Sequence, residues 1–326
     1  MTYVLLREAG GIGDVVRTFP AARGLKARDA SARVGYVCLA GYEGLVRLCA
    51  DVDELLAVSE RARRARDERP EPARFPYLRR FGRGARFVDL YCPALRHELE
   101  TRGRPRLDRV EVFCRAAGVA ASTPRLALPP ETPRRLRGRI EAFLGRTGPL
   151  AGLAPYATHV ARSWQNREGV LRLAERLRAE GFGLVFFNSW ARGRPGRGEL
   201  LADELGAFPA VALGWAELAA AVSLCDVLVS VDTGILHLAG ALGVRTLGLF
   251  GPTSGEVVSR PYPTHESLQT HVLGACCDSP CYCLPFRGYS PAVCGAAGCA
   301  LLAGLDPDEA ASRALALAGP AARLER

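Results

Sequence analysis

VLVSVDTGILHLAGALGVRTLGLFG, residues 227–251, decides the fold. VLVSV reads as a strand, the stretch after Thr233 as a helix, and RTLGLFG as a second strand. Short, nearly unbroken apolar runs belong to strands covered on both faces, and a strand–helix–strand order makes the two strands parallel. The main polar interruption is Asp232-Thr233-Gly234, with His237 one turn later. It falls where the first strand ends and the helix begins.

The same rhythm extends outward. LAGLAP (150–155) is a strand before a helix over 167–180, GLVFFN (183–188) is a strand before a helix near 198–206, and a further helix covers 215–225. In the first half, TYVLLR (2–7) leads through a glycine turn into a helix over 14–28. ARVGYVCLA (32–40) leads into a helix over 41–49 and the short run ELLAV (54–58). RFVDLYC (86–92) is a further strand, and RVEVFCRAAG (109–118) a further helix. Residues 120–149 form a joint broken by Pro124, Pro129, Pro130 and Pro133, in which Thr132 is the expected cap of a helix with Pro133 at its first position. The expectation is an α/β chain of two doubly wound domains, 1–148 and 149–326, the second carrying a cysteine-rich loop at 276–299 and a terminal helix. Ligands of such sheets bind at the carboxyl ends of the strands, here expected between the domains.

The 326 residues suffice for about two domains with a large core. No stretch reaches the ~18 apolar residues of a membrane span, and MTYVLLREAGGIGDV lacks the basic-then-apolar pattern of a signal peptide. Transmembrane, collagen-like, disordered and secreted mini-protein classes are excluded, and the expected location is the cytoplasm. Net charge is +9, yet among 43 basic residues only Lys26 is lysine, there is a single Met, and isoleucine occurs only at 12, 140 and 235. That pattern is GC-rich codon usage, so much of the arginine excess is drift. The remainder is uneven: segment 61–87 holds ten arginines against Asp67, Glu68 and Glu71, a net of +7. Two readings stand for it, a face toward an anionic inner-membrane surface or an acidic acceptor, and a solvated loop. No nucleic-acid partner is expected, because no recognition motif accompanies the charge.

Three motifs can carry chemistry. Gly10-Gly11-Ile12-Gly13-Asp14 follows the first strand, where the Gly11 and Gly13 backbone can approach a ligand closely and the helix start favours anions. It is neither GxGxxG nor a Walker loop. Asp14 stands where a helix cap belongs, and it is read either as that cap or as a carboxylate at the crevice mouth poised as a general base. In the second motif, Thr233 and Gly234 offer free amides to a diphosphate. Asp232, itself anionic, suits sugar hydroxyls, and His237 faces the same side as Thr233. The plainer reading makes Asp232 a cap and His237 a buried, satisfied histidine. In the third, THVARSW (158–164), Thr158 and Arg162 come from the loop after LAGLAP, and a guanidinium there can take two phosphate oxygens at once.

GIGDVVRTFPA together with VSVDTGILHLAGALGVRTLGLFGPT resembles glycosyltransferase family 9, the ADP-heptose:lipopolysaccharide heptosyltransferases. The resemblance implies a GT-B fold, two Rossmann-like domains facing each other across a cleft. It also implies inverting transfer of a heptose from ADP-heptose, a nucleotide-diphosphate sugar, to a lipopolysaccharide core acceptor, with no cofactor required. By position, Asp14 corresponds to the proposed base of the GD motif and Thr158 to a phosphate-binding threonine. Arg162 falls where the family usually has lysine, and Trp164 keeps the tryptophan that follows it. Asp232 corresponds to the residue holding the donor sugar, Thr233 and Gly234 to those at the diphosphate, and His237 to the histidine beyond. For the acidic ribose contact Glu199 is the candidate, within an arginine-rich stretch unlike the family's pattern.

The chemistry fits these residue types independently. The acceptor hydroxyl must lose a proton as it attacks the anomeric carbon, and the leaving nucleotide gains negative charge that oriented donors stabilise. The metal-binding DxD string of other glycosyltransferases is matched by Asp51-Val52-Asp53, which reads as a turn before ELLAV. Alternatives are a relative using another nucleotide sugar or a capsule, glycoprotein or natural-product acceptor, and a nucleotide-sugar-binding protein without catalysis. Retention of Asp14 with Asp232 and His237 argues against the last.

Of 11 cysteines, Cys38, Cys49, Cys92, Cys114 and Cys225 lie singly in elements and read as small apolar residues. Six crowd into 276–299. Among them Cys277, Cys281, Cys294 and Cys299 form the set best spaced for a structural zinc or iron, against the reading that they remain reduced thiols.

Overall fold

Every strand expected from the apolar runs is present, and each lies parallel to its neighbours. In the computed structural model the described residues are 1–60, 69–101, 105–187, 197–270 and 298–319, the side chains of 197–200 excepted. They divide into two units, Met1–Ala127 and Leu128–Arg326.

The first unit runs β1 (Thr2–Arg7), α1 (Ile12–Arg28), β2 (Arg33–Leu39), α2 (Glu43–Val46), β3 (Glu54–Val58), β4 (Arg86–Asp89), α3 (Cys92–Glu100) and α4 (Arg109–Ala117). Its four strands are ordered β3-β2-β1-β4. Val4, Leu6 and Val37 pack with Leu78 and Phe81 from the chain before β4. The helix expected over 41–49 shrinks to the single turn α2, since Gly41 and Gly44 lower helix propensity there. The strand expected to reach Cys92 stops at Asp89, whose carboxylate accepts a hydrogen bond from the Tyr91 amide at 2.8 Å and turns the chain into α3. Asp53 accepts from the Val34 amide at 2.7 Å and pairs with Lys26, so Asp51-Val52-Asp53 is a turn that locks the start of β2.

The second unit runs α5 (Glu131–Leu144), β5 (Leu150–Ala154), α6 (Arg167–Ala179), β6 (Gly183–Phe186), α7 (Arg197–Glu204), β7 (Phe208–Pro209), α8 (Trp215–Ser223), β8 (Val227–Val231), α9 (Gly234–Leu242), β9 (Thr246–Phe250), α10 (Gly255–Ser259) and β10 (His265–Gln269). A short helix, Ala300–Ala303, and the helix Pro307–Ala318 follow. The sheet is ordered β10-β9-β8-β5-β6-β7, the 3-2-1-4-5-6 order of a dinucleotide-binding fold. β5, β8 and β9 are buried throughout. Leu173 and Leu177 of α6 share one core with Ala310, Ala314 and Leu315.

The domain division differs from the expected 148/149. Helix α5 belongs to the second unit because Leu136 and Ile140 are buried and the helix packs on α8, with Arg139 donating to Glu217 at 2.9 Å. Thr132 is not a cap, since the helix opens at Glu131 after Pro130 and buries Thr132 in its first turn. Two strands escape the sequence reading: β7 has two residues ending in proline, and HESLQ in β10 carries no apolar run.

Candidate active site

In the first unit the chain winds outward in both directions from β1, so its switch point lies at the carboxyl ends of β1 and β4. β1 ends on Arg7, which is 3% exposed. Its guanidinium donates to the Leu90 carbonyl just past β4 at 2.9 Å and sits 5.3 and 5.2 Å from the ring centres of Tyr91 and Phe113. Gly10 takes φ +106°, and a Cβ there would stand 2.6 Å from an Asp14 carboxylate oxygen, so the turn requires glycine.

Asp14 is not the cap. α1 opens at Ile12 after Gly11 and no side chain caps it, which leaves Asp14 inside the first turn and almost fully buried. Its carboxylate meets three guanidiniums: Arg7 at 3.0 Å, Arg17 at 2.9 Å and Arg109 in a very close pair. Arg109 also donates through Nε to the buried Glu98 at 2.9 Å, so α3 and α4 both brace the site. Burial pushes the Asp14 carboxyl up, but Arg109, Arg7 and Arg17 together outweigh it and hold the carboxyl well below the usual range. The group is an ionised acceptor at neutral pH. None of these three guanidiniums, nor Glu98 behind Arg109, was singled out in the sequence. Arg7 as the last residue of an apolar strand and Arg17 at i+3 carried a local signal; Glu98 and Arg109 carried none.

In the second unit the switch point lies between β5 and β8, and the candidate donor residues come from those strands' carboxyl ends. After β5 the loop 155–164 closes on itself. The Trp164 amide donates to the Pro155 carbonyl at 2.8 Å, and the Ser163 hydroxyl accepts from the Ala157 amide at 2.9 Å. This turn presents Thr158 exposed and Arg162 half-buried, while Trp164 is wholly in the core. After β8, α9 opens at Gly234 with Thr233 at the cap position, whose side chain makes no capping bond, and Asp232 precedes it. Asp232 is therefore not the cap. Its carboxylate lies 3.5 Å from Arg162 and 3.7 Å from Nε2 of His237, and both Asp232 and His237 are buried. Nδ1 of His237 is 3.0 Å from the Tyr262 hydroxyl.

The loop after β9 completes this edge. Gln269 of β10 donates to the carbonyls of Gly251 and Thr253 at 3.1 and 2.8 Å and accepts from the Gly255 amide at 3.0 Å. The Thr253 hydroxyl is buried without a hydrogen-bond partner among the described residues. Tyr262, Gln269 and Thr253 were not foreseen, although GPTSG after a strand was a readable loop signal.

The structure thus brings Arg162, Asp232 and His237 into contact and sets Thr233 and Gly234 beside them at the start of α9. Glu199 lies in the part of α7 whose side chains are not described. Cys277, Cys281 and Cys294 fall outside the described residues, whereas Cys299 is 5% exposed and packs against Gly251 in the core. Among the described residues no group of three or more His, Cys, Asp or Glu side chains is placed to hold a metal ion. Of the basic segment, Arg69, Arg74, Arg79, Arg80, Arg83 and Arg86 are described and all are exposed. No helix among the described residues is long and apolar enough to cross a membrane.

The sequence model of "Glycosyltransferase family 9 (heptosyltransferase)" matches residues 102–281, more than half of the chain. That span includes Thr158 to Tyr262 and leaves Asp14 outside. No curated protein sequence matches significantly. Among solved structures, the chain is similar to E. coli ADP-heptose lps heptosyltransferase II at 16% identity, covering 98% of each chain with a TM-score of 0.70. The family 9 glycosyl transferase from Veillonella parvula is similar at 17% identity, 97% of each chain and a TM-score of 0.71. E. coli heptosyltransferase WaaC with ADP-2-deoxy-2-fluoro heptose is similar at 18% identity, over 83% of this chain and 94% of that one, with a TM-score of 0.56.

Proposed function

The chain belongs to glycosyltransferase family 9 and is a heptosyltransferase-like glycosyltransferase of GT-B type, and from that premise we propose that it moves a heptose from ADP-heptose to a lipopolysaccharide core acceptor, with inversion and without a divalent metal. One observation carries the reading. Arg162, Asp232, Thr233, Gly234 and His237 converge at the carboxyl ends of β5 and β8, the switch point where such a sheet binds nucleotides.

In this reading the diphosphate takes the amides at the start of α9, Thr158 and the Arg162 guanidinium. Arg162 leaves Asp232 for the phosphates, and Asp232 turns to the sugar hydroxyls. Asp14 serves on the acceptor side. The acceptor oxygen attacks the anomeric carbon, its proton passes to the Asp14 carboxylate, and the bond from that carbon to the β-phosphate oxygen breaks, releasing ADP. A carboxylate held by three guanidiniums is a weak base. An acidic acceptor would compete for those guanidiniums and return basicity to Asp14 as it binds. The exposed arginines at 69–86 suit such an acceptor, or the anionic inner face of the membrane that carries it.

Nucleotide release from a panel of ADP- and UDP-sugars, with a lipid-A-core acceptor, tests the proposal. Turnover with ADP-heptose and a product one heptose heavier is expected. Turnover confined to another sugar or another acceptor would shift the reading to a different branch of the family.

A further inference from the structure

Tyr262 is 2% exposed, lies outside every element, and belongs to no motif that the sequence singles out. Its backbone is fixed on both sides, its amide donating to the Ser259 carbonyl at 2.9 Å and its carbonyl accepting from the His265 amide at 3.1 Å. Its ring fills a space that α9 leaves open: a Cβ at Gly240, one turn beyond His237, would overlap it. The ring stands 5.7 Å from that of His237 and 4.6 Å from that of His265. Neither ring nitrogen of His265 has a hydrogen-bond partner among the described residues, so the Tyr262 hydroxyl, 3.0 Å from Nδ1 of His237, serves His237 and not His265. Burial, aided by His237, pushes the His265 imidazole down to about 3, which leaves it a neutral wall.

We propose that Tyr262 is a positioning residue of the donor site, whose hydroxyl donates to Nδ1 of His237 and fixes that imidazole as the Nε2–H tautomer facing Asp232. A neutral imidazole has one donor nitrogen and one acceptor nitrogen. Nε2 lies on the carboxylate's side at 3.7 Å, where a proton is favoured over a lone pair, and in a neutral ring that leaves Nδ1 as the acceptor. The opposite tautomer would set the Nε2 lone pair toward the carboxylate oxygen in a site almost closed to water. Held this way, His237 presents N–H to Asp232 and to a ligand oxygen arriving beside it. The proposal rests on the donor-site reading of Asp232 and His237.

The protein holds five histidines, and long-range ¹H–¹⁵N spectra of the labelled chain resolve their tautomers, with His237 assigned by the signal lost in His237→Gln. The wild type should show His237 as Nε2–H. In Tyr262→Phe, which keeps the ring, the Nδ1 resonance should move to that of an unbonded acceptor or a tautomer mixture. Affinity for ADP or UDP, measured by calorimetry, should fall about tenfold, the scale of one buried hydrogen-bond partner lost. A wild-type His237 found as Nδ1–H or as imidazolium overturns the proposal without any variant, so a poorly folding Tyr262→Phe does not shelter it. Nucleotide binding unchanged by Tyr262→Phe overturns the positioning role alone. A wild type that binds neither nucleotide overturns the donor-site reading instead, with the tautomer spectra still reporting the hydrogen bond.

Discussion

Replacing Asp14 by asparagine should abolish transfer while leaving donor binding nearly intact. The two effects have different sources. Loss of a general base costs 10²–10⁴-fold in rate, and Arg162, Asp232 and His237, the proposed donor residues, lie in the other unit of the chain. The variant should also be less stable. Asp14 neutralises Arg7 at 3.0 Å, Arg17 at 2.9 Å and Arg109, with Arg7 only 3% exposed. Removing one partner of a buried charge cluster costs about 3–5 kcal/mol, because the opposite charges stay buried. Asparagine keeps a carbonyl acceptor, so the lower end, about 3 kcal/mol, is expected. The sign with pH follows from the depressed carboxyl. The folded group titrates below its unfolded value of about 3.9, so its contribution is complete above that pH and disappears as pH falls through the folded value. Wild type and variant should therefore differ most in urea midpoint at neutral pH and converge in acid. Turnover is to be read at 20 °C, with folding checked by circular dichroism and donor affinity by calorimetry. A folded variant that turns over within about threefold of wild type would refute the base assignment and leave Asp14 as an electrostatic anchor only.

Arg162→Ala should weaken ADP-heptose binding about tenfold or more, as expected for a charge-assisted contact, and Arg162→Lys should restore most of it. Equal affinities for wild type and the alanine variant by calorimetry would remove Arg162 from the site. Transfer should not depend on added Mg²⁺ or Mn²⁺. A loss on EDTA treatment that either ion restores would contradict a metal-free mechanism, and a loss restored only by zinc or iron would point to the cysteines at 276–299.

How much was legible in the sequence differs between the fold and the site, for a physical reason. β5, β8 and β9 are buried on both faces, so they announce themselves as continuous apolar runs. β10 pairs with β9 through backbone hydrogen bonds at the sheet edge, and HESLQ leaves no apolar trace. The short sequence separation of Asp232, Thr233 and His237 made that cluster readable, since a strand end and the first helical turn place neighbours in sequence side by side in space. The partners that set their chemistry arrive by packing. Tyr262 reaches His237 across 25 residues, and Arg109 reaches Asp14 across 95. Among 43 basic residues no spacing distinguishes Arg109 from the rest. The consequence is sharpest at Asp14. Its motif proposes a carboxylate free to take a proton, whereas its three-dimensional neighbours make it the anion of a buried cationic cluster. In the proposed reaction its basicity is set by what an incoming acceptor does to Arg7, Arg17 and Arg109, and an acidic acceptor that draws these guanidiniums away is the kind that would raise it.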